Sequence, residues 1–147
     1  MCKLNIGCGK MYSQDYINVD ISKAVQADEY WDATQGIPKD NDSVDEILCG
    51  CMLEQIDTNK DFIFFLNECH RVLKSGRVMK GYVPSTDPRV LCLDPMDRRF
   101  FQRESFNYMV RGHNLYENFG RTYGFTGWHG CETSINDNGI LHFTLIK

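Results

Sequence analysis

Near its start the chain reads KLNIGCGKMYSQDYINVDIS, residues 3 to 22. An apolar run over Lys3–Ile6 meets Gly7 and Gly9, and a second run over 16–20 ends on a carboxylate, Asp20. Short apolar runs closed by turn residues read as buried strands. Two such runs in this order put glycines at one strand tip and an acid at the next. Glycine lets a ligand come close to the backbone. An aspartate beside it accepts hydrogen bonds from a diol such as ribose. In open α/β sheets ligands bind beyond the carboxyl ends of the strands, where strand order reverses. This one stretch therefore predicts an open, mainly parallel sheet with a nucleoside-type site at its strand ends.

The rest of the chain extends that sheet. EYWD at 29–32 reads as a third strand, VDEILC at 44–49 as a fourth, and RVMKGYVP at 77–84 as a fifth, ended by Pro84. Between the last two, apolar residues at 62, 63, 65, 66, 69, 72 and 73 recur at helical spacing. The spacing predicts a helix over 59–73, stopped by KSG with Gly76 as its left-handed cap. CETSI and ILHFTLIK flank NDNG, a hairpin turn signal. The expected fold is α/β: a Rossmann-like, mainly parallel sheet with helices on both faces and an antiparallel C-terminal hairpin. The first crossover is the exception. Only residues 10–15 separate Gly9 from the second strand, fewer than the roughly 10–12 of a crossover carrying a helix. The first crossover helix is expected to be reduced or absent.

A chain of 147 residues suggests one domain over 1–147. No apolar stretch reaches the roughly 18 residues of a membrane span. The first residues show no basic segment leading into an apolar one, so neither a signal peptide nor a membrane is expected, and the location is read as cytoplasmic. The seven cysteines include no CxxC pair, which predicts reduced thiols and no metal site. Residues 1–75 hold 13 acids against 7 Lys/Arg, while residues 76–147 hold 7 against 9. An acidic first half suits a cationic ligand. The only basic group, Arg98, Arg99, Arg103 and Arg111, is interrupted by Asp94, Asp97 and Glu104, which disfavours nucleic acid as a partner.

Asp32, at the tip of the third strand, is placed to accept from an adenine amino group. A dinucleotide site wants GxGxxG followed by a full helix; here Tyr12 takes the third position and little helix can follow. A phosphate-free adenosine ligand carrying positive charge fits better. At this point the sequence resembles the class I S-adenosylmethionine-dependent methyltransferases. The matching pieces are LNIGCGK, INVDI, WDAT, IPKDNDSVDEILCGCMLEQI and FLNECHRVLKSGRVMKGYVPS, in that order. The resemblance implies S-adenosylmethionine as cofactor, with Gly7, Cys8 and Gly9 packed against it, Asp20 and Ile21 at the ribose, Asp32 and Ala33 at adenine, and Cys49, Gly50 and Cys51 on the methionine side. Asn5 stands where many members have an acid, and Gln55 replaces a frequent histidine. The stretch 86–109 is similar to short phage and marine-bacterial members, with Asp97 where that pattern has histidine.

The resemblance implies methyl transfer by in-line displacement, helped mostly by proximity and orientation. A general base is needed only for a nucleophile whose proton has a high pKa. The candidates are Asp94, Asp97, His113 and His129; His70 and His142 fall in helix and strand patterns and read as structural. The acceptor, small molecule or larger, is unidentified. Residues 84–121, rich in aromatics and arginine, are expected to form a lid on the acceptor side, and a partner chain, a second copy of this one included, would complete an open pocket. The alternative is a non-catalytic S-adenosylmethionine-binding or scaffold protein, a degenerate methyltransferase.

Overall fold

The computed structural model describes residues 1–147. Its seven strands form one sheet: β1 (Lys3–Ile6), β2 (Ile17–Asp20), β3 (Glu29–Tyr30), β4 (Val44–Gly50), β5 (Leu73–Pro84), β6 (Gly130–Ile135) and β7 (Ile140–Ile146). They lie in the order β3-β2-β1-β4-β5-β7-β6. The first five pair in parallel, and β7 runs antiparallel to both β5 and β6. The hairpin turns at 136–139, where Asn136 Oδ1 accepts from the amides of Asn138 and Ile140. Mainly parallel sheet and terminal hairpin are thus as the sequence predicts.

One long helix, α1 (Asn59–Val72), connects β4 to β5. Thr58 caps it by accepting from the Asp61 amide at 3.0 Å. Its apolar stripe, Phe62, Phe65, Leu66, Cys69 and Val72, is buried. It packs on the face of the sheet that carries Leu4, Ile47, Met79, Leu141, Phe143 and Leu145, all within one core. The helix ends at Val72, and Leu73 is already extended. Gly76, with φ 72°, does not cap it. It lies instead in a bulge of β5, where the register with β4 jumps from Leu73 at Val44 to Val78 at Glu46.

The same layer is completed by residues 101–128. A 3-10 helix over Arg103–Met109 buries Phe106 and Met109, with Phe106 stacked on Phe143 at 4.7 Å. A π-type turn over Tyr116–Gly120 leads into the short α2 (Arg121–Tyr123). Trp128 meets His70 of α1 edge-on at 5.1 Å. The segment expected to be a lid over 84–121 therefore divides. Its second half contributes Phe101, Phe106, Met109 and Tyr116 to the core, whereas residues 86–100 contribute no buried residue.

The expectation of helices on both faces is met on one face only. The opposite face carries Lys3, Glu46, Lys80, Tyr82, His142 and Thr144, each at least partly open to solvent. Its polar side chains serve one another: Tyr16 donates to Glu46, Lys80 lies 3.4 Å from Glu46, and the Lys3 ammonium sits over the Tyr16 ring. A parallel sheet is usually covered on both sides. Here the alternation of polar and apolar residues along β1, β4 and β5 makes one covered face sufficient.

Candidate functional site

The chain runs β1, β2, β3 outward, then returns to place β4 on the other side of β1. The reversal at β1 and β4 opens a crevice at their carboxyl ends. A cavity of about 600 Å³ lies there. Of the residues that the sequence nominated for a cofactor, Gly7, Cys8, Gly9, Asp20, Ile21, Asp32, Ala33, Gly50 and Cys51 line it; Asn5 and Cys49 do not. A second cavity of about 580 Å³ lies against α1 between Phe62, Tyr108, Tyr123 and Phe125, with Arg98 and Arg99 on its rim. It holds neither strand tips nor the glycine pair, so the first is the candidate site.

Each wall of the cavity has a local cause. Gly9 has φ 51°, and nothing lies within 4 Å of where its Cβ would stand. Its amide donates to Asp20 Oδ2 at 2.8 Å, while Asp20 Oδ1 accepts from the Ser22 amide at 2.8 Å. The acid thus joins the tip of β2 to the glycine turn after β1 and keeps further lone pairs for a ligand. Asp32 caps the turn over Ala33–Gln35: its Oδ1 accepts from the Thr34 amide and hydroxyl at 2.9 and 2.7 Å, leaving Oδ2 free of these bonds. On the β4 side, a Cβ on Gly50 would fall 2.4 Å from the Tyr82 ring, so only glycine lets Tyr82 close that wall. Cys51 follows with φ 48°, a left-handed backbone of the kind that clusters at functional sites.

Asn5 and Cys49 do other work. The Asn5 amide donates to the Met11 carbonyl at 2.8 Å and to Asn18 Oδ1 at 2.9 Å, on the open-face side of β1. Asn18, fully buried, accepts from the Ser13 amide and donates to Ser13 O, Tyr16 O and Asp28 Oδ2. Tyr12 closes the frame by donating to Asp28 Oδ1 at 2.8 Å. This polar frame stands where the first crossover helix is missing. Cys49 is buried in the core beside Met52.

The four base candidates separate. Asp94 comes to the edge of the cavity, where its Oδ2 accepts from Gln55 Nε2 at 3.2 Å and Gln55 is part of the cavity wall; Asp97 lies beside it, near Glu54 and the wall residue Cys51. His113 and His129 do not come there. They flank Val110, Arg111 and Trp128 near the C-terminal end of α1, with the His129 amide on Ile146 O and His113 Nδ1 accepting from Leu115. The sequence reading missed Glu54. It is 2% exposed, and burial, then the Asp97 and Asp94 carboxylates, push its carboxyl up to about 7. A carboxylate set among the apolar residues of CMLEQI was the available signal. Trp31, Met52 and Tyr82 also line the cavity and were not nominated.

No family model and no curated protein matches this sequence. Solved structures do match its fold. An S-adenosylmethionine-dependent methyltransferase from Archaeoglobus fulgidus aligns at TM-score 0.73 and 13% identity, over 99% of this chain and 86% of that one. Another from Thermotoga maritima aligns at 0.63 and 14%, over 99% and 82%. A structure of the Haloferax volcanii Trm112 methyltransferase activator in complex with a methyltransferase aligns at 0.64 and 14%, over 99% and 81%. The chain has the class I S-adenosylmethionine-dependent methyltransferase fold.

Proposed function

We propose that the chain binds S-adenosylmethionine in the crevice between the ends of β1, β2 and β4 and transfers its methyl group to an acceptor. The observation that carries this reading is Asp20 tied to the Gly9 amide at the strand-order reversal, with open space over Gly9. The residues present suit the molecule. Asp20 offers acceptor lone pairs to two ribose hydroxyls. Asp32 Oδ2 is placed for an amino group, with Ile21, Trp31 and Ala33 as apolar walls for a flat ring. Gly50, Cys51 and Tyr82 form the opposite end. Asn5, spent on Met11 and Asn18, takes no part.

When bound, S-adenosylmethionine supplies a methyl carbon already activated by its sulfonium. The protein's share is orientation and exclusion of water, worth several kcal/mol, and a place for any proton the acceptor must lose. Residues 86–100 reach the cavity wall through the Asp94–Gln55 hydrogen bond and form the acceptor side. Calorimetric titration with S-adenosylhomocysteine, followed by transfer of labelled methyl to panels of small molecules, peptides and glycans, tests the reading. Micromolar binding is expected. Failure to bind overturns it, and binding with no transfer to any acceptor leaves a binding module.

A further inference from the structure

Two side-chain oxygens in the chain are buried without any hydrogen-bond partner, Glu54 Oε2 and Asp97 Oδ1. Both belong to one cluster. The Glu54 carbonyl accepts from the amides of Arg98 and Arg99 at 2.7 and 3.2 Å, which pins the segment carrying Asp97 over Glu54. The groups that face the Glu54 carboxyl are Cys51, Asp97 and Asp94, with Tyr82 on the adjoining wall. No cation is among them. Arg98 turns to Asp57 at 3.4 Å, and Arg99 to the Ile56 carbonyl and the Phe62 ring. Buried polar atoms are almost always paired, and a buried carboxylate without a countercharge is costly. A pair of orphaned acid oxygens therefore wants a positive group with several N–H donors. Cys51, Glu54, Asp94 and Asp97 do not converge in a geometry that could hold a metal ion. A hydroxyl brings one donor and no charge.

We infer that Glu54 and Asp97 receive the protonated amine of the methyl acceptor, Asp97 meeting the nitrogen first and Glu54 taking its proton. The inference rests on the methyl-transfer reading and names its substrate class. Asp97, half-buried, and the exposed Asp94 give the approach, beside the Cys51 and Gln55 wall of the cavity. Leu93 and Met96, 76% and 57% exposed, flank the aspartates and suit an apolar body on the amine. In the proton step an N–H bond of the ammonium breaks and an O–H bond forms on the carboxylate. The nitrogen keeps the electron pair and becomes the nucleophile. Before the amine arrives, burial and its acidic neighbours hold the Glu54 carboxyl above its ordinary value, and an ammonium seated against it offsets that shift.

The test is binding. S-adenosylhomocysteine is titrated first, and failure there sinks the parent reading without touching the amine site. Phenethylamine and its neutral counterpart 2-phenylethanol are then titrated into the same protein, with and without S-adenosylhomocysteine. The amine is expected to bind at least about tenfold more tightly than the alcohol, and the Glu54→Gln/Asp97→Asn double variant to lose that preference. Equal binding of amine and alcohol, or an unchanged preference in the variant, overturns the inference. Should the variant fail to fold, carboxyl-carbon NMR on the unaltered protein decides. Saturating phenethylamine is expected to lower the Glu54 titration midpoint by about one pH unit or more, and an unmoved midpoint rejects the amine site.

Discussion

Asp20 holds two backbone amides before any ligand arrives, those of Gly9 and Ser22. A turn-capping role and a ribose-binding role are therefore not alternatives for this side chain. Hydrogen bonds to a charged acceptor contribute about 1.5–3 kcal/mol each when partly buried. Asp20→Ala is expected to weaken S-adenosylhomocysteine binding by roughly tenfold to a few hundredfold. It is also expected to lower unfolding stability by about 1–3 kcal/mol through the two orphaned amides. Asp20→Asn is expected to be no milder, since its NH₂ must face one of two N–H donors. Calorimetry on the folded variants checks both statements, and an unchanged dissociation constant in Asp20→Ala makes the ribose assignment wrong.

At the scale of elements, the loop over 10–16 shows how a crossover survives without a helix. The Asn18 side chain, fully buried, has five partners within hydrogen-bond reach: its oxygen accepts from Asn5 and Ser13, and its two N–H groups are shared among Ser13 O, Tyr16 O and Asp28 Oδ2. Asn18→Ala removes the shared partner of these groups, of which Asn5 is buried, Ser13 and Tyr16 are half-buried and Asp28 is exposed, and a loss of about 1–3 kcal/mol is expected. A urea midpoint within experimental error of the parent would show that the frame is dispensable. The sequence made the short crossover visible by counting, but not this frame. Tyr12, Asn18 and Asp28 are separated along the chain, and a polar residue inside the apolar run YINVD carries no mark of its partners. Glycine turns, strand-tip acids, α1 and the hairpin were legible because each is a local pattern. The open face was legible only in part: the alternation at Lys3, Glu46 and Lys80 was present, but a parallel sheet sets a prior of two covered faces. The division of the lid at about residue 100 was hidden, because Phe101 and Phe106 look no different from Phe100 until the sheet is there to receive them. Hydrogen exchange is expected to find residues 86–100 opening well before 101–110 and slowing on ligand addition. Equal protection of the two stretches, unmoved by ligand, would remove the acceptor-side role from 86–100.

The whole molecule answers pH through two groups at opposite ends of the helical layer. Glu54, just before α1, has its carboxyl raised from 4.5 to about 7, chiefly by burial. His70, near the end of α1 against Trp128, is lowered from 6.5 to about 4, again chiefly by burial, with Lys147 and Arg111 adding to it. Their effects on stability have opposite signs. The folded chain keeps the Glu54 proton after the unfolded chain has lost it, so that contribution is whole below about pH 4.5 and is lost as pH rises through about 7. The folded chain refuses the His70 proton that the unfolded chain accepts below about 6.5, so stability is lost as pH falls from there toward 4. One pKa unit is about 1.4 kcal/mol, which puts the Glu54 effect at about 3 kcal/mol; the His70 effect is smaller, since its ring is partly open to solvent. Carboxylates held low, such as Asp87 at about 2, titrate below this window. The two slopes largely cancel, and unfolding stability is expected to change little between pH 5 and 6.5, falling gently. Glu54→Gln removes one slope and leaves stability rising with pH; His70→Leu removes the other and leaves it falling steeply. Chemical unfolding of the three proteins at half-unit pH steps separates the terms. Parallel curves for the parent and Glu54→Gln would mean that Glu54 is ionised in the folded chain and that the cluster it shares with Asp97 is wetter than its burial implies.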